Sequence, residues 1–364
     1  ECDYVNSGTA GSTCATDALQ NDQIDFTDTP NLAPELKLDL MRAKAIYSLA
    51  ANRPIINDEV YVGKNGDSLA AAIWSEVIRG RNSLHFYNWT NANGLKDLAE
   101  RTPWSMLNAY AFDPNGLYRI KEVRDQINSI SDIILPRKNR VQGEIGYLLS
   151  LPSVRYWQND ASEIETGSSA LEMLHYPYRA VFEEQIPEGA LNGLKVIIIH
   201  HANNSYPETM PALEAFVRAG GTVIVSGKPF QNNEYGYKLD NPLVDIKILP
   251  TPLEVFDAQL PNGKNIKVGF KGLVTSDSHW EKLLKTDKRP ILLKETLGAG
   301  KIYFLPITTT DYAYATLYEQ ILRENDLKPI GNLLKVDRDD LVADVEMHQF
   351  RHGDLTLTYR SEER

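Results

Sequence analysis

The chain has 364 residues, 42% of them hydrophobic, and its 49 acidic residues outnumber its 38 basic residues, which gives a formal net charge of −11. This length suffices for about two or three domains with buried cores, and the negative charge argues against nucleic acid or an anionic membrane surface as the main partner. No apolar run approaches the roughly 20 residues of a membrane-spanning helix. The two cysteines, Cys2 and Cys14, are too few for a disulfide scaffold and lack the spacing of a zinc site, so they form a local disulfide or remain two unrelated thiols.

The first section of the chain alternates between strand and helix patterns. Apolar runs and the helical spacing of apolar residues predict strands at 23–30, 53–63 and 82–91 and helices at 34–50 and 67–80. Proline, glycine and capping residues lie at the ends of these segments. This regular alternation predicts parallel βα units.

Polar residues lie where two of these strands end. In "RPIINDEVYVG" (53–63) the apolar start is followed by Asn57, Asp58 and Glu59, and the strand "LHFYNWT" ends in a Tyr-Asn-Trp cluster at 87–89. A strand buried on both faces should stay apolar, so these residues mark the point where each strand leaves the core. In a (β/α)8 barrel this end of the strands carries the active site. Solvated loop residues and plain core packing of the tryptophan are the competing interpretations.

The middle of the chain predicts a second parallel sheet. Residues 105–140 are mostly helical, and the stretch at 136–142 is typical of a linker between domains. Near-continuous apolar runs then predict buried strands at 143–151, 194–201, 221–227 and 301–307, with a helix at 211–221 that Gly220 ends. These elements predict an open parallel sheet with helices on both faces. The final stretch, 344–364, alternates apolar and polar residues like a β-hairpin.

Three further motifs have simple structural interpretations. His200 and His201 end a strand without a third ligand at metal spacing, so a satisfied strand end is favoured over a metal site. "LGAGK" at 297–301 lacks the full phosphate-loop pattern and predicts a turn between two strands. Asn88 and Asn203 each begin a glycosylation triplet, which matters only in a secreted eukaryotic protein.

Four segments together resemble glycoside hydrolase family 42, the β-galactosidase-like retaining enzymes: "RPIINDEVYVG", "LAAAIWSEVIRGR", "LHFYNWTNANG" and "ALNGLKVIIIHHANNSYPETMPALEAFVRAGGTVIVSG". The resemblance implies an α/β fold in three parts. Residues 1–138 would form the C-terminal half of a (β/α)8 barrel, and 139–332 a glutamine-amidotransferase-like, doubly wound parallel-sheet domain. Residues 333–364 would begin a small β-domain. No cysteine nucleophile follows "VIIIHH", so amidotransferase chemistry is not expected.

The resemblance also implies the site residues. Glu59 matches the nucleophile at the end of the family's seventh barrel strand, and an indole beside a carboxylate suits a sugar, whose apolar face stacks on an aromatic ring. The residues expected to bind the sugar are Trp89 as a stacking wall, Tyr87, Asn88, Asn57, Tyr61, Asp25 and Asp28. Loop capping explains the two aspartates about as well. No metal and no cofactor are implied.

A strand count exposes a departure from the family pattern. If 54–59 is the seventh strand, 23–27 is the sixth and 2–6 is the fifth, which leaves no residues for the first four. The family's acid/base glutamate ends the fourth strand, and retaining hydrolysis needs a second carboxylic acid about 5 to 5.5 Å from the nucleophile. We therefore expect a fragment of a larger enzyme, with the remaining half barrel cleaved off, carried on a separate chain or outside this sequence.

The alternative interpretation is a non-catalytic carbohydrate-binding or assembly protein on the same scaffold. The expected partners are a carbohydrate substrate and, by analogy with the family, two further copies in a homotrimer; nucleic acid and membranes are not expected. A secreted or periplasmic location is favoured over the cytoplasm. A few contacts to sugar hydroxyls decide which sugar binds, so the sequence predicts β-galactosides or related β-linked sugars without choosing among them.

Overall fold

A computed structural model describes most of the chain: residues 5–6, 34–50, 53–60, 66–86, 114–156, 161–227, 230–239, 243–244, 247–260, 263, 265–275, 279–286, 289–331 and 345–362. The chain forms two compact units. The first comprises Glu1–Cys14, Arg42–Val141 and His348–Ser361, and the second comprises Ala15–Met41, Gln142–Met347 and Glu362–Arg364. Among the described helices, none is long and apolar enough to cross a bilayer.

The first unit contains a three-stranded parallel sheet. Its strands, in spatial order, are β1 (Val5–Asn6), β2 (Ile55–Val60) and β3 (Ser83–Phe86). The helices along this part of the chain are α1 (Pro34–Leu49), α2 (Gly66–Ile78), α3 (Pro114–Ser129) and α4 (Ser131–Ile134). The predicted alternation of parallel strands with helices is therefore confirmed for the described part of this unit.

The pairing of β1 corrects the strand count. β1 is hydrogen-bonded directly to β2, with Val5 opposite Ile55. The count made from the sequence put a strand at 23–27 between these two, so that count is wrong. Residues 23–30 themselves, with Asp25 and Asp28, lie outside the described residues.

The second unit is built on a seven-stranded sheet. The strands described in this unit are, in chain order, β4 (Ile145–Leu149), β5 (Tyr178–Phe182), β6 (Val196–His200), β7 (Asn204–Ser205), β8 (Thr222–Ser226), β9 (Asn232–Asn233), β10 (Lys247–Gln259), β11 (Asn265–Thr275), β12 (Glu281–Lys285), β13 (Pro290–Leu297) and β14 (Gly300–Leu305). The sheet order is β12-β13-β14-β8-β6-β4-β5. The five strands from β14 to β5 are parallel, whereas β12 and β13 run antiparallel to their neighbours.

The four strands predicted for this sheet are confirmed as β4, β6, β8 and β14, which are consecutive neighbours. The sequence analysis missed β5, because its "YRAVF" interrupts the apolar run with an arginine. It also missed β12, which pairs antiparallel with β13 at the edge of the sheet. The strand β13 agrees with the turn predicted at 297–301, which required a strand before it. The order of the parallel strands has a crossover between β4 and β6, as in doubly wound folds of the flavodoxin type.

The helices described along this unit begin with α5 (Leu151–Tyr156) and α6 (Ala161–Met173). One face of the sheet packs against the next helix, α7 (Thr209–Arg218). Ile197 and Val223 of the sheet share an apolar cluster with Leu213 and Val217 of α7, and all four side chains are fully buried. The helix ends where the sequence predicts, because Gly220 has a φ of +109°, a conformation that glycine adopts without steric cost.

The other face packs against α6 (Ala161–Met173) and α8 (Asp311–Glu324). The Tyr147 hydroxyl donates to the carbonyl of Ile164 in α6 at 2.5 Å, and His200 Nδ1 lies 2.9 Å from the Tyr318 hydroxyl of α8. A Cβ atom at Gly167 would lie only 2.6 Å from the Tyr147 hydroxyl oxygen and from His200 Cγ. Glycine therefore lets α6 approach the sheet this closely. The expected doubly wound arrangement, with helices on both faces, is present in the described residues.

The predicted hairpin at the C-terminus is present as β15 (Val345–His352) and β16 (Leu355–Glu362). Phe350 of β15 is fully buried in the core of the first unit, where the apolar residues of α2 and α3 surround it. These residues are Leu69, Ile73, Val77, Ile78, Val123 and Ile127. The hairpin residues from His348 onward thus complete the core of the first unit; the separate small β-domain at 333–364 stays a prediction.

Candidate active site

The C-terminal end of β2 carries the candidate active site. Its register with β3 contains an irregularity: Ile56 pairs with Ser83, Asn57 with Leu84 and Val60 with Phe86. Between the last two pairs, β2 advances by three residues (57 to 60) while β3 advances by two (84 to 86). One extra residue in one strand is a β-bulge. Glu59 lies within this bulge.

Asn57 is the last residue of β2 before the bulge. Asn57 is 6% exposed, and its amide Nδ2 donates to Glu76 Oε2 of α2 at 3.0 Å, so its side chain is on the α2 side of the sheet. Bulges are frequent at barrel rims and next to active sites.

A buried polar network supports β2 at Asn57. Glu76 Oε2 accepts the Asn57 hydrogen bond and also lies 3.1 Å from Arg81 Nε. The Arg81 side chain is 7% exposed and that of Glu76 is 20% exposed, so solvent screens this ion pair only weakly. The network joins β2, α2 and the turn that precedes β3.

The start of β2 is held by a second residue of that turn. The Ile55 amide donates to Asn82 Oδ1 at 2.9 Å, and the Asn82 amide donates to the Ile55 carbonyl at 2.8 Å. Sequence reasoning missed the supporting residues Glu76 and Arg81. The sequence contains one sign of this network: Glu76 lies three residues after Ile73 and therefore close to the apolar side of α2. A carboxylate in that position needs a polar or charged partner.

Two of the predicted site residues fall within the described part of the chain. Asn57 is described in full, whereas for Glu59 only the backbone position in β2 is described. The other six lie outside the described residues: Asp25, Asp28, Tyr61, Tyr87, Asn88 and Trp89. Their roles, and that of Glu59, stay predictions.

The carboxyl edge of the second sheet offers no comparable site in the described residues. His200 Nδ1 contacts the Ser226 hydroxyl and lies 2.9 Å from the Tyr318 hydroxyl, and all three side chains are buried. These contacts agree with a satisfied strand end. The described residues contain no group of three or more His, Cys, Asp or Glu side chains that could hold a metal ion. The predicted turn at 297–301 is present as the connection between β13 and β14.

Comparisons by sequence find nothing: no family model matches the chain, and no curated protein is significantly similar to it. Comparison of folds gives extensive matches. The β-galactosidase from Bacillus circulans sp. alkalophilus has a TM-score of 0.70 at 15% identity, over 94% of this chain and 53% of that chain. The β-galactosidase from Rahnella sp. R3 has a TM-score of 0.71 at 13% identity, over 94% and 54%.

A catalytic mutant of a glycoside hydrolase family 42 β-galactosidase from G. stearothermophilus has a TM-score of 0.64 at 13% identity, over 98% of this chain and 53% of that chain. The chain therefore spans about half the length of the structures it matches. At these identities the likeness is one of fold. The resemblance to glycoside hydrolase family 42 is confirmed at that level: the chain has the fold of about half of a β-galactosidase chain of this family.

Proposed function

We propose that this chain carries the nucleophile of a retaining glycoside hydrolase that acts on β-galactosides or related β-linked sugars. Glu59 is the nucleophile. The observation that carries the proposal is the fold shared with β-galactosidases, together with the position of Glu59 in a bulge at the carboxyl end of a parallel strand. Catalytic residues of barrel enzymes come from this end of the strands.

In the proposed mechanism, the Glu59 carboxylate attacks the anomeric carbon of the sugar. The bond to the leaving oxygen breaks while a second carboxylic acid protonates that oxygen, and a glycosyl-enzyme ester forms. The same second group, now a carboxylate, then removes a proton from a water molecule that attacks the anomeric carbon and releases Glu59. The second group lies about 5 to 5.5 Å from the nucleophile in enzymes of this kind, and we assign it to a part of the enzyme beyond this chain.

The sugar-binding residues belong to the same proposal. Trp89 provides the stacking surface, and hydrogen bonds to hydroxyl groups come from Tyr87, Asn88, Tyr61, Asp25 and Asp28. The reaction requires no cofactor. The assembly that we propose is a homotrimer, with the complementary barrel strands provided by the rest of the polypeptide or by another chain.

The test is replacement of Glu59 by glutamine in the full-length protein. The amide keeps the shape of the side chain but is a poor nucleophile, so we expect turnover of nitrophenyl β-galactoside to fall by about 10³-fold or more. Glu122→Gln is the matched control. It makes the same charge change at a half-exposed glutamate of α3, which pairs with Arg119, and turnover is expected to stay at the wild-type level.

A 2-deoxy-2-fluoro galactoside with a good leaving group tests the assignment directly. The fluoro sugar forms the glycosyl-enzyme, but this intermediate is hydrolysed slowly and therefore accumulates. Mass spectrometry of the digested protein should then find the sugar on the peptide that contains Glu59. Unchanged turnover in Glu59→Gln, or a label on another peptide, would refute the nucleophile assignment. Sugar binding without any hydrolysis by the wild-type protein would favour the non-catalytic carbohydrate-binding alternative.

A further inference from the structure

The network of Asn57, Glu76 and Arg81 is not explained by the stability of the fold alone. Replacing a buried ion pair by apolar residues is often neutral or stabilising, because removing two charges from water costs as much as their attraction returns. Glu76 is an acceptor for both partners through the same oxygen, at 3.0 Å from Asn57 and 3.1 Å from Arg81. Such a network fixes the positions of all three side chains relative to one another.

We infer that Glu76, acting through Asn57 and fixed by Arg81, is a positioning residue for the nucleophile proposed at Glu59. The inference rests on the proposed function and adds to it a part of the site that does not touch the sugar. It also changes the role of Asn57, which the sequence analysis placed among the sugar ligands.

The position of Asn57 in the strand explains how this works. Asn57 is the last paired residue of β2 before the bulge, and Glu59 is two residues further on. A bulge lacks part of the ladder of backbone hydrogen bonds that holds a regular strand, so its geometry depends on what fixes the residues at its ends. At the near end, the hydrogen bond from Asn57 to Glu76 ties β2 to α2.

Arg81 fixes the other end of this connection. Its guanidinium faces Glu76 Oε2, and its backbone amide donates to the Glu76 carbonyl at 3.1 Å. The next residue, Asn82, makes both of its hydrogen bonds to Ile55 at the start of β2. The end of α2, the turn before β3 and the first half of β2 thus form one hydrogen-bonded unit. The Asn57 bond ties this unit to the side of β2 that leads to Glu59.

The experiment uses three variants of the full-length protein. Asn57→Leu removes the donor but leaves the ion pair. Glu76→Met combined with Arg81→Met removes the ion pair without leaving either charge buried alone. Glu122→Gln is the control for charge. Steady-state kinetics with nitrophenyl β-galactoside gives kcat and KM, and thermal unfolding gives stability.

We expect Asn57→Leu and the double variant to lower kcat by about 10- to 100-fold, because small displacements of a reacting group have effects of this size. KM is expected to change less than about twofold, since no sugar contact is lost. The rate at which the fluoro-galactoside labels Glu59 is expected to fall in proportion to kcat. The double variant is expected to melt at a lower temperature than wild type, because the buried Asn57 amide loses its Glu76 acceptor. A fall in kcat at a temperature where the variant is fully folded separates positioning from support of the fold.

Four outcomes would each overturn the inference. A normal kcat in the double variant would show that the network is structural only. An increase in KM at constant kcat in Asn57→Leu would return Asn57 to the sugar ligands. Wild-type turnover in Glu59→Gln would remove the nucleophile and the positioning role together, whereas an inactive Glu59→Gln beside fully active network variants would overturn the positioning role alone.

Discussion

At the scale of single residues, Glu183 shows how a buried carboxylate is accommodated in the second unit. It is 2% exposed and lies directly after β5. Its Oε2 accepts hydrogen bonds from the Ser205 hydroxyl at 2.5 Å, the Thr209 hydroxyl at 2.7 Å and the Tyr206 amide at 3.0 Å. Desolvation by burial raises the pKa of the Glu183 carboxyl, although these hydrogen bonds oppose the shift by lowering it. Burial is the stronger effect.

This raised pKa predicts the pH dependence of stability. The folded state binds the Glu183 proton more tightly than the unfolded chain does, so its contribution to the unfolding free energy decreases as pH rises from the ordinary value of 4.5 through the raised pKa. Glu183→Gln does not titrate. We therefore expect the melting temperature of Glu183→Gln, relative to wild type, to rise between pH 4.5 and neutral pH.

The control for this prediction is Glu184→Gln, at the exposed glutamate next in sequence. The difference in melting temperature between Glu184→Gln and wild type is expected to be nearly constant across the pH range. The desolvation argument would be contradicted if the melting temperature of Glu183→Gln minus that of wild type stayed constant or fell as the pH rose.

At the scale of elements, the C-terminal hairpin belongs to the core that α2 and α3 build. Phe350 is fully buried among their apolar side chains, although more than two hundred residues separate it from both helices in the sequence. The backbone of this hairpin is also tied to the linker residues, because Arg140 forms a bridge with Phe350 and the Val141 amide donates to the Gln349 carbonyl at 2.9 Å.

Truncating Phe350 tests this packing. We expect Phe350→Ala to lower the free energy of unfolding by about 3 to 5 kcal/mol, the usual cost of removing a buried aromatic ring. Leu355→Ala in the same hairpin is the control, because Leu355 is 52% exposed, and a change within about 0.5 kcal/mol is expected there. Urea denaturation measures both. Equal effects for the two variants would mean that the hairpin does not contribute Phe350 to the core.

At the scale of the whole molecule, the excess of acidic residues predicts how the chain interacts with polyanions. A net charge of −11 repels heparin and nucleic acid when salt does not screen it. We expect the protein to pass through a heparin column at low ionic strength and to bind an anion exchanger under the same conditions. Retention on heparin would reveal a basic surface that the total charge conceals.

The chain also shows that a fold can be similar where sequence comparison finds nothing. The structures it matches share at most 15% of aligned residues in the three pairs described, over about half of their length. Layered packing of helices on parallel strands needs apolar residues of about the right size at the right period, and many sequences satisfy this condition.

The sequence alone determined many of the elements and the type of sheet. The strands β2, β4, β6, β8 and β14 and the helices α1, α2 and α7 follow from apolar runs and helical spacing. These patterns are local, because each element must bury one face or both, and its own residues record that requirement. The same local patterns carry the resemblance to glycoside hydrolase family 42.

Only the tertiary structure decided which distant residues meet. It added β5 to the sheet edge, placed β1 beside β2, introduced the bulge at Glu59 and joined Asn57 to Glu76. It also showed that Asn203, the start of a glycosylation triplet, is 5% exposed in the folded chain. Register, pairing and burial of single polar groups depend on neighbours far apart in the chain, and no local pattern in the sequence records them.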